Sequence, residues 1–222
     1  MIVLADVLTS EELAYVQSEL ATAVFEEGKL TARGTAQSVK NNEQLQRSQE
    51  TATRLDAVLM QAIARHPLLI AWGAPRTISM PLINRHAEGM HYGFHVDAAV
   101  TTQGSVMRRD LSVTLFLSDP LTYDGGELEV ESPGGLKRVK PAAGGAFAYA
   151  TQAIHQVRPV TRGVRYAAVF WLQSLIQDDQ MRQSLFDLQA VIGSLTERGV
   201  QGQEMLLLSK LHQNLTRKFS AP

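Results

Sequence analysis

The chain has 222 residues, with six histidines, 22 acidic and 21 basic side chains, and no cysteine. A net charge of −1 excludes the global positive field of a nucleic-acid or anionic-lipid binder. Without thiols there are no disulfides, cysteine-ligated zinc sites, iron–sulfur clusters or thiol nucleophiles, so any bound metal must take His, Asp or Glu ligands.

Residues 1–8 are apolar but few, include Asp6 and lack a basic lead, so no signal peptide is expected. No run reaches the ~18 apolar residues of a membrane span. These features predict a cytoplasmic protein without a membrane or nucleic-acid partner. Thr9 and Glu12 have the spacing of a capping box, and Leu13, Val16, Leu20 and Val24 repeat as one face of a helix. The polar stretch 26–42 reads as a loop. A second helix is predicted over 43–65, with Pro67 helping to end it. Residues 1–75 thus form an N-terminal helical part expected to pack on a β-rich core.

From residue 76 to 175 the pattern changes. Short apolar or alternating runs fall at 78–84, 90–95, 111–117, 127–130, 137–139, 146–149, 155–160 and 165–172, separated by glycine-rich turns. Many short strands without long helices between them predict a double-stranded β-helix, or jelly roll. The fold class is mainly β with α. Residues 176–222 return to helical spacing, with Gly199 and Gly202 as a hinge between two helices. These helices are the surface expected for any homo-oligomeric contact.

The chemistry concentrates in His91-Tyr92-Gly93-Phe94-His95-Val96-Asp97. Residues two apart on a strand share a face, so His95 and Asp97 can offer a nitrogen and an oxygen to one ion. His155, at the start of a later strand, can supply a third ligand. Two His and one carboxylate with open positions are the facial triad of non-haem Fe(II) enzymes. His-x-Asp alone occurs often by chance; Arg165, on the next strand, adds a guanidinium suited to a carboxylate-bearing cosubstrate. Tyr92 can hydrogen-bond that cosubstrate or pack as a strand aromatic. Ala167 and Val169 alternate with Arg165 and are expected on its cavity face. His86 and His91 read as exposed loop residues or as substrate contacts, and His66 and His212 as solvated helical ones. Arg108 and Arg109 read as partners of Asp110 or another surface carboxylate, or as a lure for an acidic substrate.

Several motifs in order carry a family resemblance. They are Thr31-Ala32, Val39-Lys40-Asn41-Asn42, His95-Val96-Asp97, Arg109-Asp110-Leu111-Ser112, Thr114 to Ser118, Tyr123 to Leu128, His155-Gln156-Val157, Pro159 to Arg165, and Trp171 to Ser174. Together they resemble the Fe(II)/2-oxoglutarate-dependent dioxygenases, and within them the PKHD-type hydroxylases related to prolyl 4-hydroxylase. The chain departs from the family pattern at 149–154, before the distal His, and near Phe25. The resemblance implies His95, Asp97 and His155 as iron ligands and Arg165 as the partner of the 2-oxoglutarate C5 carboxylate, with Tyr92 beside it. It implies hydroxylation of a small-molecule or peptidyl substrate by molecular oxygen, with succinate and CO2 as coproducts and L-ascorbate as reductant. An association with iron homeostasis comes with it. Asp97 favours hydroxylation, since related halogenating enzymes lack that carboxylate. A non-catalytic iron/2-oxoglutarate sensor and a sugar- or metabolite-binding jelly roll are the competing readings.

Overall fold

The computed structural model describes residues 1–31, 34–101 and 106–220. Ala32, part of the early motif, lies outside them. The N-terminal region runs β1 (Ile2–Leu4), α1 (Ser10–Thr22), β2 (Phe25–Glu27), a 3-10 turn (Gly28–Thr31), α2 (Thr35–Ser38), β3 (Lys40–Asn41), β4 (Glu43–Leu45), α3 (Glu50–Arg65) and α4 (Pro67–Gly73). The middle holds β5 (Pro75–Ile78), β6 (Leu82–His86), β7 (His91–His95), β8 (Val100–Thr101), β9 (Met107–Arg108), β10 (Leu111–Phe116), β11 (Asp124–Gly125), β12 (Leu128–Ser132) and β13 (Gly135–Val139). It continues with β14 (Ala146–Ala150), β15 (His155–Val157), β16 (Val160–Arg162) and β17 (Arg165–Ser174). Helices α5 (Asp179–Glu197) and α6 (Gln203–Phe219) complete the order.

Most of the strands build two antiparallel sheets, and β11 with β16 and β8 with β9 form two-stranded ribbons. The major sheet runs β1-β14-β10-β17-β6-β4-β2, with β5 also on β17; the minor sheet runs β13-β12-β15-β7-β3. Phe116, Leu128, Val130, Phe147 and Tyr149 form a buried cluster drawn from both sheets, which fixes them face to face as a jelly roll. A larger core lies on the other side of the major sheet. There Val113, Leu115, Ala148, Phe170 and Leu172 meet Val16 and Leu20 of α1 and Leu55, Leu59 and Ile63 of α3. Period-2 alternation along β17 therefore sends Ala168 and Phe170 to the helices and leaves Arg165, Val169 and Trp171 for the space between the sheets.

The N-terminal capping box is present: Thr9 Oγ1 accepts from Glu12 N at 3.2 Å, and Thr9 N donates to Glu12 Oε2 at 2.9 Å. Other N-terminal expectations change. The stretch 26–42 is not a plain loop, because β2, the 3-10 turn, α2 and β3 occupy it. Helix α3 starts at Glu50, and residues 43–45, expected inside it, are a strand with a buried Gln44 and Leu45. Sheet pairing of β4 with β6 overrides the helical propensity of those residues. Val24 lies outside α1 and is exposed. Pro67 ends α3 and also occupies the first turn of α4. His66 is half-buried rather than solvated: its Nδ1 accepts from Leu69 N at 3.3 Å and its Nε2 donates to Ala5 O at 3.0 Å. The predicted strand 78–84 is two strands, β5 and β6, and 155–160 divides into β15 and β16.

Gly199 and Gly202 adopt φ of 72° and 117° between α5 and α6, as a hinge requires. Leu206 and Leu207 on α6 are exposed. Among the described residues no helix is long and apolar enough to cross a membrane. Phe170 carries the packing of β17 on the helices, so Phe170→Ala is expected to cost about 3–5 kcal/mol in urea unfolding. An unchanged midpoint would show that the helices do not depend on this face.

Candidate active site

The last residue of β7 and the first of β15 face each other in the ladder: His95 and His155 are Cα partners. Each ring is fixed by its own backbone. His95 Nδ1 lies 2.8 Å from Gly93 O, and His155 Nδ1 lies 3.0 Å from Ala153 O. A carbonyl only accepts, so both Nδ1 atoms carry the proton and both Nε2 lone pairs stay free for a metal. Tyr92 stacks on His95 at 3.6 Å between centroids, and Tyr149 meets His155 edge-on at 5.1 Å. Burial, followed by the neighbouring His155, pushes the His95 pKa down and keeps the ring neutral, the state a ligand needs.

Asp97 lies two residues past β7 and is positioned from the opposite sheet. Its Oδ2 accepts from Ser112 Oγ at 2.9 Å and from Trp171 Nε1 at 2.8 Å. Each His Nε2 is 3.8 Å from one Asp97 oxygen, and the three ligand atoms lie within 4.8 Å of one another. A first-row ion with bonds of ~2.1 Å spans a gap of 3.8 Å. Two neutral imidazoles and one carboxylate, with no thiolate, could hold Fe(II) and leave positions open.

Beside the triad is a cavity of about 820 Å³ lined by both sheets. Arg165, at the start of β17, is 1% exposed, and its Nε and Nη2 have no acceptor among the described residues. Burial lowers its pKa, yet a guanidinium stays charged. Two buried charged donors without an acceptor call for an anion. Gly126 makes this placement feasible: a Cβ there would stand 3.0 Å from Arg165 Cδ, on a backbone with φ of 66°.

Tyr92 lines the cavity, and burial raises its pKa to about 12, with the Asp97 charge adding to the rise. It therefore remains a phenol donor at neutral pH. Val169 faces the cavity as expected, whereas Ala167 is buried without being part of its wall. His86 corrects the sequence reading: it is not an exposed loop residue but 2% exposed on β6, the Cα partner of Arg165. Both of its ring nitrogens lack partners, and burial followed by the Arg165 charge holds its pKa well below normal. His91 is half-buried on β7. Arg108 pairs with Asp110 at 2.6 Å, one of the two roles read for it, but Arg109 does not; its guanidinium lies over the Trp171 ring at 3.9 Å.

Sequence reading assigned no role to three contributors. Trp171 shares the face of Arg165 by even spacing along β17, so strand parity could have found it. Ser112 sits by the same rule on the cavity face of β10. The third is a polar chain from the N-terminal region. Lys40 Nζ donates to Thr31 Oγ1 at 2.8 Å, Thr31 to Gln44 Oε1 at 2.8 Å, and Gln44 Nε2 to Asn84 Oδ1 at 3.0 Å. Burial lowers the Lys40 pKa to about 8 against the pull of Asp97.

Trp171→Phe removes one of the two bonds that hold Asp97, and outer-shell losses of this kind cost about 10–100-fold in metal affinity. Metal titration of Trp171→Phe should show that loss, and Ser112→Ala a similar one. Unchanged affinity in both would mean that Asp97 needs no such support.

The sequence model of the 2OG-Fe(II) oxygenase superfamily matches residues 81–173. A PKHD-type hydroxylase of Klebsiella pneumoniae is 42% identical over 217 residues, which cover 97% of each chain. PKHD-type hydroxylase YbiX of Shigella flexneri is 43% identical over 216 residues, 96% of each chain. Among solved structures, a Pseudomonas putida prolyl-4-hydroxylase shares the fold with a TM-score of 0.52 at 19% identity, over 78% of this chain and 91% of that one. The resemblance extends along almost the whole of both sequences and not over the barrel alone, and on that ground the chain belongs to the PKHD-type hydroxylases of the 2OG-Fe(II) oxygenase superfamily.

Proposed function

We propose that this hydroxylase holds Fe(II) through His95, Asp97 and His155 and anchors the C5 carboxylate of 2-oxoglutarate on Arg165. The observation that carries the reading is Arg165: two buried donors without an acceptor, on the wall of the cavity that also contains the His/Asp/His cluster. Bound Fe(II) and 2-oxoglutarate supply the oxidising chemistry that inserts one oxygen atom of O2 into a substrate C–H bond, with succinate and CO2 as coproducts. L-ascorbate is the external reductant.

The chain's own residues do four things. The Nδ1–H bonds to Gly93 and Ala153 aim two imidazoles at one point without cost at the moment of reaction. Ser112 and Trp171 take one lone-pair direction each from Asp97 Oδ2 and leave Oδ1 unconstrained by them. Arg165 orients a carboxylate through a charged, planar fork. Tyr92, stacked on His95, offers a phenolic proton at the cavity wall and shields the imidazole face. The aromatic rings around the histidines keep bulk water from that side of the site.

Anaerobic addition of Fe(II) and 2-oxoglutarate should give a visible charge-transfer band, and admitting oxygen should give succinate and oxygen uptake, stimulated by the true substrate. Asp97→Asn and His155→Ala should abolish both. Arg165→Gln should weaken 2-oxoglutarate by about 10²-fold or more, since truncating a buried charged partner costs upwards of 2–5 kcal/mol. Gly126→Ala, which pushes on Arg165, should weaken it to a lesser degree. Wild-type protein that forms the band but never turns over would identify a sensor instead. Absence of the band would overturn the assignment of the site.

A further inference from the structure

The charge on the cavity wall speaks to the substrate. Among the described residues Asp97 is the only carboxylate there, and four cations face it: Lys40, Arg47, Arg109 and Arg165. Arg47 is neutralised by a two-point pair with Asp56. The residues outside the description, at 32–33, 102–105 and 221–222, include no Asp or Glu. With iron and cosubstrate bound as proposed, Fe(II), Asp97, dianionic 2-oxoglutarate and Arg165 together sum to zero. Lys40 and Arg109 are left over as two positive charges.

Both lie one aromatic ring away from a triad residue. Lys40 Nζ is 5.2 Å from the centroid of Tyr92, which stacks on His95. Arg109 lies 3.9 Å over Trp171, whose Nε1 donates to Asp97. Neither forms an ion pair among the described residues. Arg109 Nε is buried without an acceptor, and the Lys40 ammonium, 4% exposed, has one hydrogen-bond acceptor, Thr31, for three N–H donors. Arg165 and Trp171 occupy opposite ends of the cavity face of β17, six residues or about 20 Å of strand apart. Arg109 is thus held at the end of the strand away from the cosubstrate anchor.

We propose that the primary substrate is an anion carrying at least one carboxylate, and that Arg109, braced on Trp171, is the residue that selects it, with Lys40 adding to the field. This rests on the iron and 2-oxoglutarate reading and makes it more specific. A cationic, amine-bearing substrate would meet two like charges without ion-pair partners and is disfavoured. A neutral peptide would leave both cations unpaired.

The test uses the anaerobic Fe(II)·2-oxoglutarate complex of the full chain. Three benzamides serve as probes, differing only in their end group: benzoylglycine, benzoylglycinamide and N-(2-aminoethyl)benzamide. Binding is read from Trp171 fluorescence in a Trp72→Phe background, Trp72 being the other tryptophan. The carboxylate should bind about tenfold or more tighter than the amide, the equivalent of one ~1.4 kcal/mol charge contact, and the amine most weakly. Arg109→Gln should erase that preference and Arg109→Lys largely keep it, while the charge-transfer titration of 2-oxoglutarate stays within about twofold in both. Equal binding of acid and amide, tighter binding of the amine, no saturable binding of any probe, or loss of 2-oxoglutarate affinity in Arg109→Gln overturns the proposal. If the wild type gives no charge-transfer band, the parent reading fails and the proposal with it, an outcome separable from the others.

Discussion

The two hydrogen bonds on Asp97 Oδ2 join the halves of the molecule. His95 and His155 belong to the minor sheet and reach their positions through ladder register and their own backbone carbonyls. Asp97 has already left that sheet. It is held by Ser112 on β10 and Trp171 on β17, central strands of the major sheet. A cluster with two histidines on one sheet and a carboxylate clamped by the other depends on the spacing between sheets, which Phe116, Phe147 and Tyr149 set by packing against Leu128 and Val130. A shift of one sheet over the other would separate Asp97 from both histidines. Core packing and the arrangement of the His/Asp/His cluster therefore answer to the same constraint.

Strand β17 shows how one sequence segment serves both. Ala168, Phe170 and Leu172 fix it to the helices, while Arg165, Val169 and Trp171 face the cavity. Because the first set is locked in a close-packed core, the backbone of the second set is fixed, and contacts such as Arg109 on Trp171 and Phe116 beside Arg165 hold its side chains. Arg165 needs that rigidity most, as a charge kept out of water and short of acceptors within the protein.

Much of this was legible in the sequence. The cluster of His95, Asp97 and His155 could be read from the ordered family motifs around it, although strand alternation does not place Asp97, which lies beyond the end of β7. Arg165 could be read from its spacing after His155, although β16 intervenes and places it two strands on. The barrel was legible from turn spacing, since Gly-rich turns act locally. His86 was misread because its burial is imposed by the partner strand: register against Arg165 makes it interior, and no neighbour in sequence says so. The strands between α1 and α3 were missed for a related reason. Residues 40–44 are polar, and several of them join the sheets where they border the cavity. Arg108 and Arg109 are adjacent and identical, yet alternation sends one to Asp110 and the other onto Trp171.

The polar chain Lys40–Thr31–Gln44–Asn84 has a consequence for how this protein can diversify. The segment matched by the superfamily model, 81–173, holds every proposed ligand and the cosubstrate anchor. Three of the four members of that chain come from the first 45 residues, ahead of it. The leading stretch thus borders one side of the cavity, through residues such as Thr31, Lys40, Gln44 and Arg47, while most of the remaining wall belongs to 81–173 itself. Changes in the leading stretch can redraw that side of the wall while His95, Asp97 and His155 keep their ladder, their carbonyls and their clamp.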